Sequence, residues 1–205
     1  MKKLAPLAIA LLSLPLAGCI KFGAEPPESL LTLTPTSPVV VGEALSSASA
    51  RTITITVPVV PQELAVARVP VRSSDTSIAY LKDAQWVEAP NRLFARLLSD
   101  TVTTRTGRVV LSLRQSFSDP GARLGGELRH FGLDAQTNEA VVTYDATLAR
   151  DRPAGQTGTR PAMAFEKRRF EARVPLTAID PAAAAIALNA AANQVAGEVA
   201  EWIGR

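Results

Sequence analysis

The sequence contains one cysteine, Cys19, and one histidine, His130, among its 205 residues. A single cysteine cannot form an intramolecular disulfide or a metal site that needs several thiolates. One histidine with scattered carboxylates is also too few ligands for a metal centre. We therefore expect no metal and no cofactor, and the stability of the chain must come from packing.

Long hydrophobic runs are absent as well, except near the N-terminus. Residues 4–16 are apolar apart from Ser13 and two prolines, and they follow Lys2 and Lys3. This run is shorter than the about 20 apolar residues that a helix needs to span a bilayer. A short positive segment followed by such a run is typical of a secretory signal peptide. We expect residues 1–18 to be removed.

The lone cysteine stands directly after this run. Leu16, Ala17 and Gly18 precede Cys19, which matches the lipobox read by lipoprotein signal peptidase. We interpret Cys19 as the lipidation site that anchors the mature chain in a membrane. The alternative is a plain secreted protein with a free thiol, which would be prone to intermolecular pairing. No aspartate follows the cysteine, and this favours the periplasmic face of the outer membrane.

The mature chain is predicted to consist of a tether and one domain. Residues 21–28 (KFGAEPPE) form a polar stretch with Pro26 and Pro27, so we expect residues 19–28 to be the acylated cysteine and a tether. Residues 29–205 have a length that suits a single periplasmic domain. The formal net charge of +3 falls by two when both lysines of the signal peptide leave, so charge gives no argument for nucleic-acid binding.

Alternating apolar and polar residues predict a chain rich in strands. The alternation is clearest in residues 52–57 (TITITV), where isoleucine and valine share one face. We expect strands over residues 30–34, 52–57, 69–72, 77–81, 108–113, 124–133, 140–149 and 163–174, with a short extended piece at 39–41. The last four strands are predicted to form an antiparallel meander.

Two amphipathic helices complete the expected fold. The first begins at Pro90 and ends before Gly107. The second begins after Asp180 as N-cap, ends near Gly204, and is expected to leave Asn189, Asn193, Glu198 and Glu201 facing solvent. Strands outnumber helices without strict alternation, so we expect an α+β fold with both helices packed on one face of a mostly antiparallel sheet.

Few residues invite a functional interpretation. His130 lies inside a predicted strand, no G-x-S-x-G motif occurs, and we interpret this histidine as structural and the protein as not an enzyme. Residues 167–169 (KRR) form a basic spot that could meet lipid headgroups or an acidic partner, or be a solvated strand face. Trp86 could be a surface anchor, although a tryptophan just before a helix favours a packed position.

The order of these features resembles the ABC-type transport auxiliary lipoproteins, the PqiC-like family. The similarity rests on four segments and extends from about residue 30 to residue 203. They are residues 57–71 (VPVVPQELAVARVPV), 78–80 (IAY), 86–90 (WVEAP) with Leu93, Leu97 and Val102 after it, and 187–203 (ALNAAANQVAGEVAEWI). The resemblance implies a lipid-anchored accessory subunit of an MCE-type ABC transporter that moves phospholipid between membranes.

In such a role the domain would dock the periplasmic MCE-domain subunit, as a single copy or as a ring-shaped homo-oligomer. Two other functions stay open at this point. One is a lipoprotein that scaffolds or activates cell-wall enzymes, and the other is a lipoprotein hydrolase.

Overall fold

The computed structural model describes residues 29–118, 121–151 and 163–204. The predicted signal peptide, the lipidation site Cys19 and the tether over residues 19–28 lie outside the described residues. So does most of the polar loop that follows Arg150. Neither helix within the described ranges has the length and hydropathy to cross a membrane.

The described chain forms seven strands and two α-helices. The strands are β1 (Thr52–Ile55), β2 (Arg68–Ser74), β3 (Ser77–Gln85), β4 (Val109–Leu111), β5 (Ala122–Asp134), β6 (Glu139–Asp151) and β7 (Met163–Pro175). The helices are α1 (Pro90–Thr106) and α2 (Pro181–Gly204), and short 3-10 turns occur at Gln62–Leu64 and Gln115–Phe117.

The sheet is built around the long strand β5. On one side, β5 pairs with β6 and β6 with β7, both antiparallel, so that Phe131 lies opposite Val142 and Val142 opposite Ala172. On its other side, β5 pairs in parallel with β1 at its start and with β2 at its end. Outside these two short strands lie β4, parallel to β1, and β3, antiparallel to β2.

The α+β class is confirmed, the expectation of a mostly antiparallel sheet holds only in part, and the predicted four-strand meander is wrong. The sheet is mixed, since β1 pairs only in parallel within the described residues. The predicted four-strand meander also shrinks to three strands, because β4 pairs with β1 rather than with β5. The chain reaches β4 through α1, which follows β3, and β4 runs antiparallel to β3 and therefore parallel to β1.

The predicted strand over residues 30–34 is reduced to a single bridge between Leu31 and Trp86. Residues 39–41 form no strand and are exposed. These segments lie at the margin of the fold, where few neighbouring groups are available to complete a ladder.

Both helices cover the same face of the sheet, as predicted. Helix α1 packs against α2, which in turn packs on β6 and β7. Alternate residues of β6 face the helices and are fully buried, among them Val142, Tyr144 and Leu148. The buried face of α2 is rich in alanine, and small side chains let the helix lie close to its neighbours.

Aromatic rings fill the centre of this core. Phe94 from α1 stacks edge to face on Tyr144 with ring centroids 5.3 Å apart. Trp86 meets Phe131 in the same way at 5.4 Å, and only 1% of Trp86 is exposed. The packed interpretation of Trp86 is therefore confirmed, and its alternative as a surface anchor is wrong.

The segment before β1, around residues 34–36, is hydrogen-bonded to the second helix. Asn193 donates from Nδ2 to the carbonyl oxygen of Thr34 at 2.9 Å, and its Oδ1 accepts from the amide of Thr36 at 2.8 Å. The amide of Thr34 donates to Oδ1 of Asn189 at 2.9 Å. Asn193 is only 8% exposed, so its predicted solvent-facing position is wrong. The side-chain amide of an asparagine can donate to a backbone carbonyl and accept from a backbone amide of another segment. The helical spacing of polar residues in the sequence does not show whether such a segment lies beside it.

Candidate functional site

The face of the sheet opposite the two α-helices carries mainly charged and polar side chains along β5, β6 and β7. We call it the outer face. It is formed by Glu127, Arg129 and His130 on β5, Thr143 and Asp145 on β6, and Arg169, Glu171 and Arg173 on β7. A β-bulge between Leu128 and His130 places one extra residue on β5, so that Arg129 and His130 both reach this face.

Arg169 and Asp145 form the strongest ion pair of the outer face. Nε and Nη2 of Arg169 donate to the two carboxylate oxygens of Asp145 at 2.6 and 2.7 Å. This paired geometry lowers the pKa of Asp145 and raises the pKa of Arg169. Arg129 lies 3.6 Å from the same carboxylate and 3.4 Å from Glu127. The charges are therefore held in alternating order across neighbouring strands.

Glu171 is the second centre of this network. Its carboxylate accepts from the hydroxyl of Thr143 at 2.9 Å and from Nε of Arg173 at 2.8 Å. Burial acts to raise the pKa of Glu171, but these hydrogen bonds outweigh it and the net shift is downward. Arg173 also donates to Glu139 at 3.3 Å, so one guanidinium joins two acids.

A cleft of about 270 Å³ opens between this network and β2. Nη2 of Arg72, from β2, lies 2.5 Å from Nε2 of His130. Burial lowers the pKa of His130, and the positive charge of Arg72 lowers it further. Because a guanidinium can only donate, Nε2 of the neutral imidazole is the acceptor and the proton sits on Nδ1.

Several titratable groups of the cleft are already engaged with one another. The lone pair of His130 that a general base would use is occupied by Arg72. Within the described ranges, no group of three or more histidine, cysteine or acidic residues could hold a metal ion. What the outer face offers is a rigid strand surface with fixed charges of both signs.

The predicted basic spot on β7 does not form one patch. Arg169 points to the outer face and pairs with Asp145, whereas the guanidinium of Arg168 lies 4.9 Å from the ring centre of Phe170. Lys167 is exposed. Neighbouring strand residues face opposite sides of a sheet, so three consecutive cations cannot act together.

A family model described as the ABC-type transport auxiliary lipoprotein component matches residues 32–200. The matched range includes all the charged residues of the outer face. The chain belongs to this family. A search of curated proteins found no match for this auxiliary lipoprotein.

Solved structures support the fold. An uncharacterized protein in a crystal structure shares 16% identity over 75% of this chain and 92% of its own, with a TM-score of 0.61. A DUF330 family protein from Xanthomonas campestris shares 18% identity over 86% of this chain and 91% of its own, with a TM-score of 0.57. At this level of identity the likeness shows that the auxiliary lipoprotein has their fold.

Proposed function

We propose that this auxiliary lipoprotein docks the periplasmic MCE-domain subunit of an ABC transporter that moves phospholipid between the two membranes. The observation that carries the proposal is the match to the transport auxiliary family, which begins shortly after a lipobox. In this proposal residues 1–18 are cleaved, acylated Cys19 anchors the chain in the outer membrane, and residues 19–28 are the tether. The role is structural and not enzymatic.

The outer face is the proposed docking surface. Its acids and arginines alternate across β5, β6 and β7, and they are partly exposed and already ordered by one another. Fixed charges of this kind select a partner with the complementary pattern and reject one with like charges. Preordered side chains also lose little conformational freedom on binding.

Co-purification from membranes tests the partner. The tagged protein is extracted with mild detergent, and the proteins that accompany it are identified by mass spectrometry. Recovery of an MCE-domain protein with its permease supports the proposal. Recovery of cell-wall synthases without any MCE-domain protein would overturn it and favour the scaffold alternative. The mass of the purified complex tests whether the domain forms a homo-oligomer in this role.

A charge reversal tests the surface. Arg173→Glu places a third acid beside Glu171 and Glu139 on the outer face. We expect this variant to fold, to reach the membrane and to lose the co-purified MCE-domain protein. The matched control is Lys82→Glu, because Lys82 is on β3, its side chain is 91% exposed, and it pairs only with its neighbour Asp83 among the described residues. Equal recovery of the partner by both variants would place the docking surface elsewhere.

A further inference from the structure

A second cleft, of about 460 Å³, lies at the end of the sheet where β5 begins and α2 ends. We call it the arginine cleft. Among the described residues, its charged lining consists of three arginines, and no acidic side chain lines it. They are Arg51 before β1, Arg108 after α1 and Arg150 near the end of β6. Topology alone brings them together, because they are far apart in sequence.

Two of these arginines cap the C-terminal end of α2. Nη2 of Arg108 donates to the carbonyl oxygen of Ile203 at 3.4 Å, and Nη2 of Arg150 donates to that of Trp202 at 3.2 Å. Carbonyl groups in the last turn of a helix lack partners within the helix and carry partial negative charge. This structural role uses one N–H group of each guanidinium, and a guanidinium has five.

The remaining positive charge is not balanced by the described residues. The helix terminus supplies about half a negative charge. Glu166, which is 3.6 Å from Nε of Arg150, is the one acid paired with any of the three arginines within the described ranges. That Nε atom is buried and lacks a hydrogen-bond partner there. Burial lowers the pKa of Arg108, and the like charges of Arg150 and Arg51 lower it further.

We propose that the arginine cleft binds a phosphate group, through the free N–H groups of Arg51, Arg108 and Arg150. Guanidinium groups match phosphate oxygens in pairs, and phosphate has enough oxygens to meet three of them. A bound anion would offset the repulsion among the like charges around Arg108. The phosphate can belong to a phospholipid headgroup or be free inorganic phosphate, which present the same chemistry to the cleft.

Binding to the acylated full-length protein tests this proposal, and it is measured in a neutral maltoside detergent without phosphate buffer. Inorganic phosphate is titrated calorimetrically, and short-chain phosphatidic acid in mixed micelles is titrated in parallel, with diacylglycerol as the uncharged comparison. Saturable binding of either phosphate compound is expected. Tighter binding of phosphatidic acid identifies a lipid headgroup as the source, and tighter binding of inorganic phosphate identifies the free anion.

Three variants connect this binding to the cleft. Within the described residues, hydrogen bonds to the end of α2 come from Arg108 and Arg150, and Arg51 is exposed. Arg51→Gln should therefore weaken binding about tenfold, or about 1.4 kcal/mol, without disturbing that helix end. Arg108→Gln should have at least the same effect. Arg123→Gln is the matched control, since Arg123 is exposed on β5 beside the cleft residue Ala122 but points to the opposite face, and its binding should equal that of the native protein.

The proposal is overturned if the native protein binds neither phosphate compound. It is equally overturned if Arg51→Gln and Arg108→Gln both bind as the native protein does. These results do not depend on the docking partner, so failure of one proposal leaves the other standing.

Discussion

Nη2 of Arg72 lies 2.5 Å from Nε2 of His130, although 58 residues separate them in the chain. The contact fixes the tautomer of the imidazole and holds β2 against β5 at the edge of the outer-face cleft. It also makes this histidine an acceptor for a permanent cation, which is an unusual environment for a group that titrates near neutral pH.

The first prediction concerns this titration. The pKa of His130 should lie below 6.5, because burial and then Arg72 oppose its charged form. NMR of the imidazole protons against pH measures it directly. Arg72→Gln should raise this pKa, and Lys82→Glu, on the neighbouring strand β3, should leave it unchanged. A pKa that does not respond to Arg72→Gln would contradict the contact.

A second prediction follows for stability. The unfolded chain binds a proton at His130 near pH 6.5, while the folded protein resists protonation there until lower pH. The contribution of His130 to the free energy of unfolding should therefore decrease as pH falls from about 6.5 to the folded pKa, and then level off. Urea unfolding of the native protein and of His130→Asn across this window isolates the effect, since the variant should lack this part of the slope.

A third prediction tests the aromatic core. Trp86→Ala removes a fully buried ring that packs on Phe131, and it should lower the free energy of unfolding by about 3–5 kcal/mol. Phe117→Ala is the control, because Phe117 is 86% exposed and its loss should change stability by less than about 0.5 kcal/mol. Denaturant unfolding followed by circular dichroism compares the two. Similar losses in both variants would contradict the core position of Trp86.

A fourth prediction uses two glycines with positive φ. Gly126 has φ of 144°, and a Cβ atom there would lie 2.0 Å from the carbonyl oxygen of Asp145. Gly107, which ends α1, has φ of 64° and open space around it. Gly107→Ala should lower the free energy of unfolding by about 1 kcal/mol, because alanine is strained at this φ even without a steric clash. Gly126→Ala should lower the free energy of unfolding by about 3 kcal/mol or more, since a steric clash with the backbone of Asp145 adds to the conformational strain.

A fifth prediction concerns the fastening of the N-terminal segment. Asn193→Ala removes the acceptor for the amide of Thr36, and this amide should exchange with solvent deuterium about fivefold faster, as expected for a net loss of about 1 kcal/mol. Gln194→Ala is the control, because Gln194 is exposed and its side-chain hydrogen bond within the described ranges goes to Glu198 on its own helix. Equal exchange at Thr36 in both variants would mean that Asn193 does not hold the segment.

Local elements could be predicted from the sequence, because their signals are local. Pro90 and Gly107 mark the limits of α1, and the alternation in residues 140–149 finds all but the ends of β6. Strand pairing could not be predicted in the same way, because the sequence of an apolar strand such as β4 does not indicate which strand it pairs with. Its parallel position beside β1 depends on how α1 packs, and that depends on the whole core.

The candidate site was even less accessible to sequence reasoning. His130 could be singled out, but the sequence gives no sign that Arg72 would face it or that a bulge would turn Arg129 to the same side. The three residues that meet in the arginine cleft share no motif either. Such sites arise where separate elements end, and only the assembled topology brings their side chains together.

The clamp formed by Asn193 on Thr34 and Thr36 has a mechanical consequence if Cys19 is the anchor. The chain from Cys19 to the first bridge at Leu31 could extend at most about 40 Å, which limits how far the domain can stand from the lipid. Tension on this segment would fall first on the two backbone hydrogen bonds of Leu31, to Gln85 and Val87, and then on those of Thr34 and Thr36 at α2. Release of both attachments would lengthen the segment by about 20 Å while the seven-stranded sheet and the two helices stayed folded.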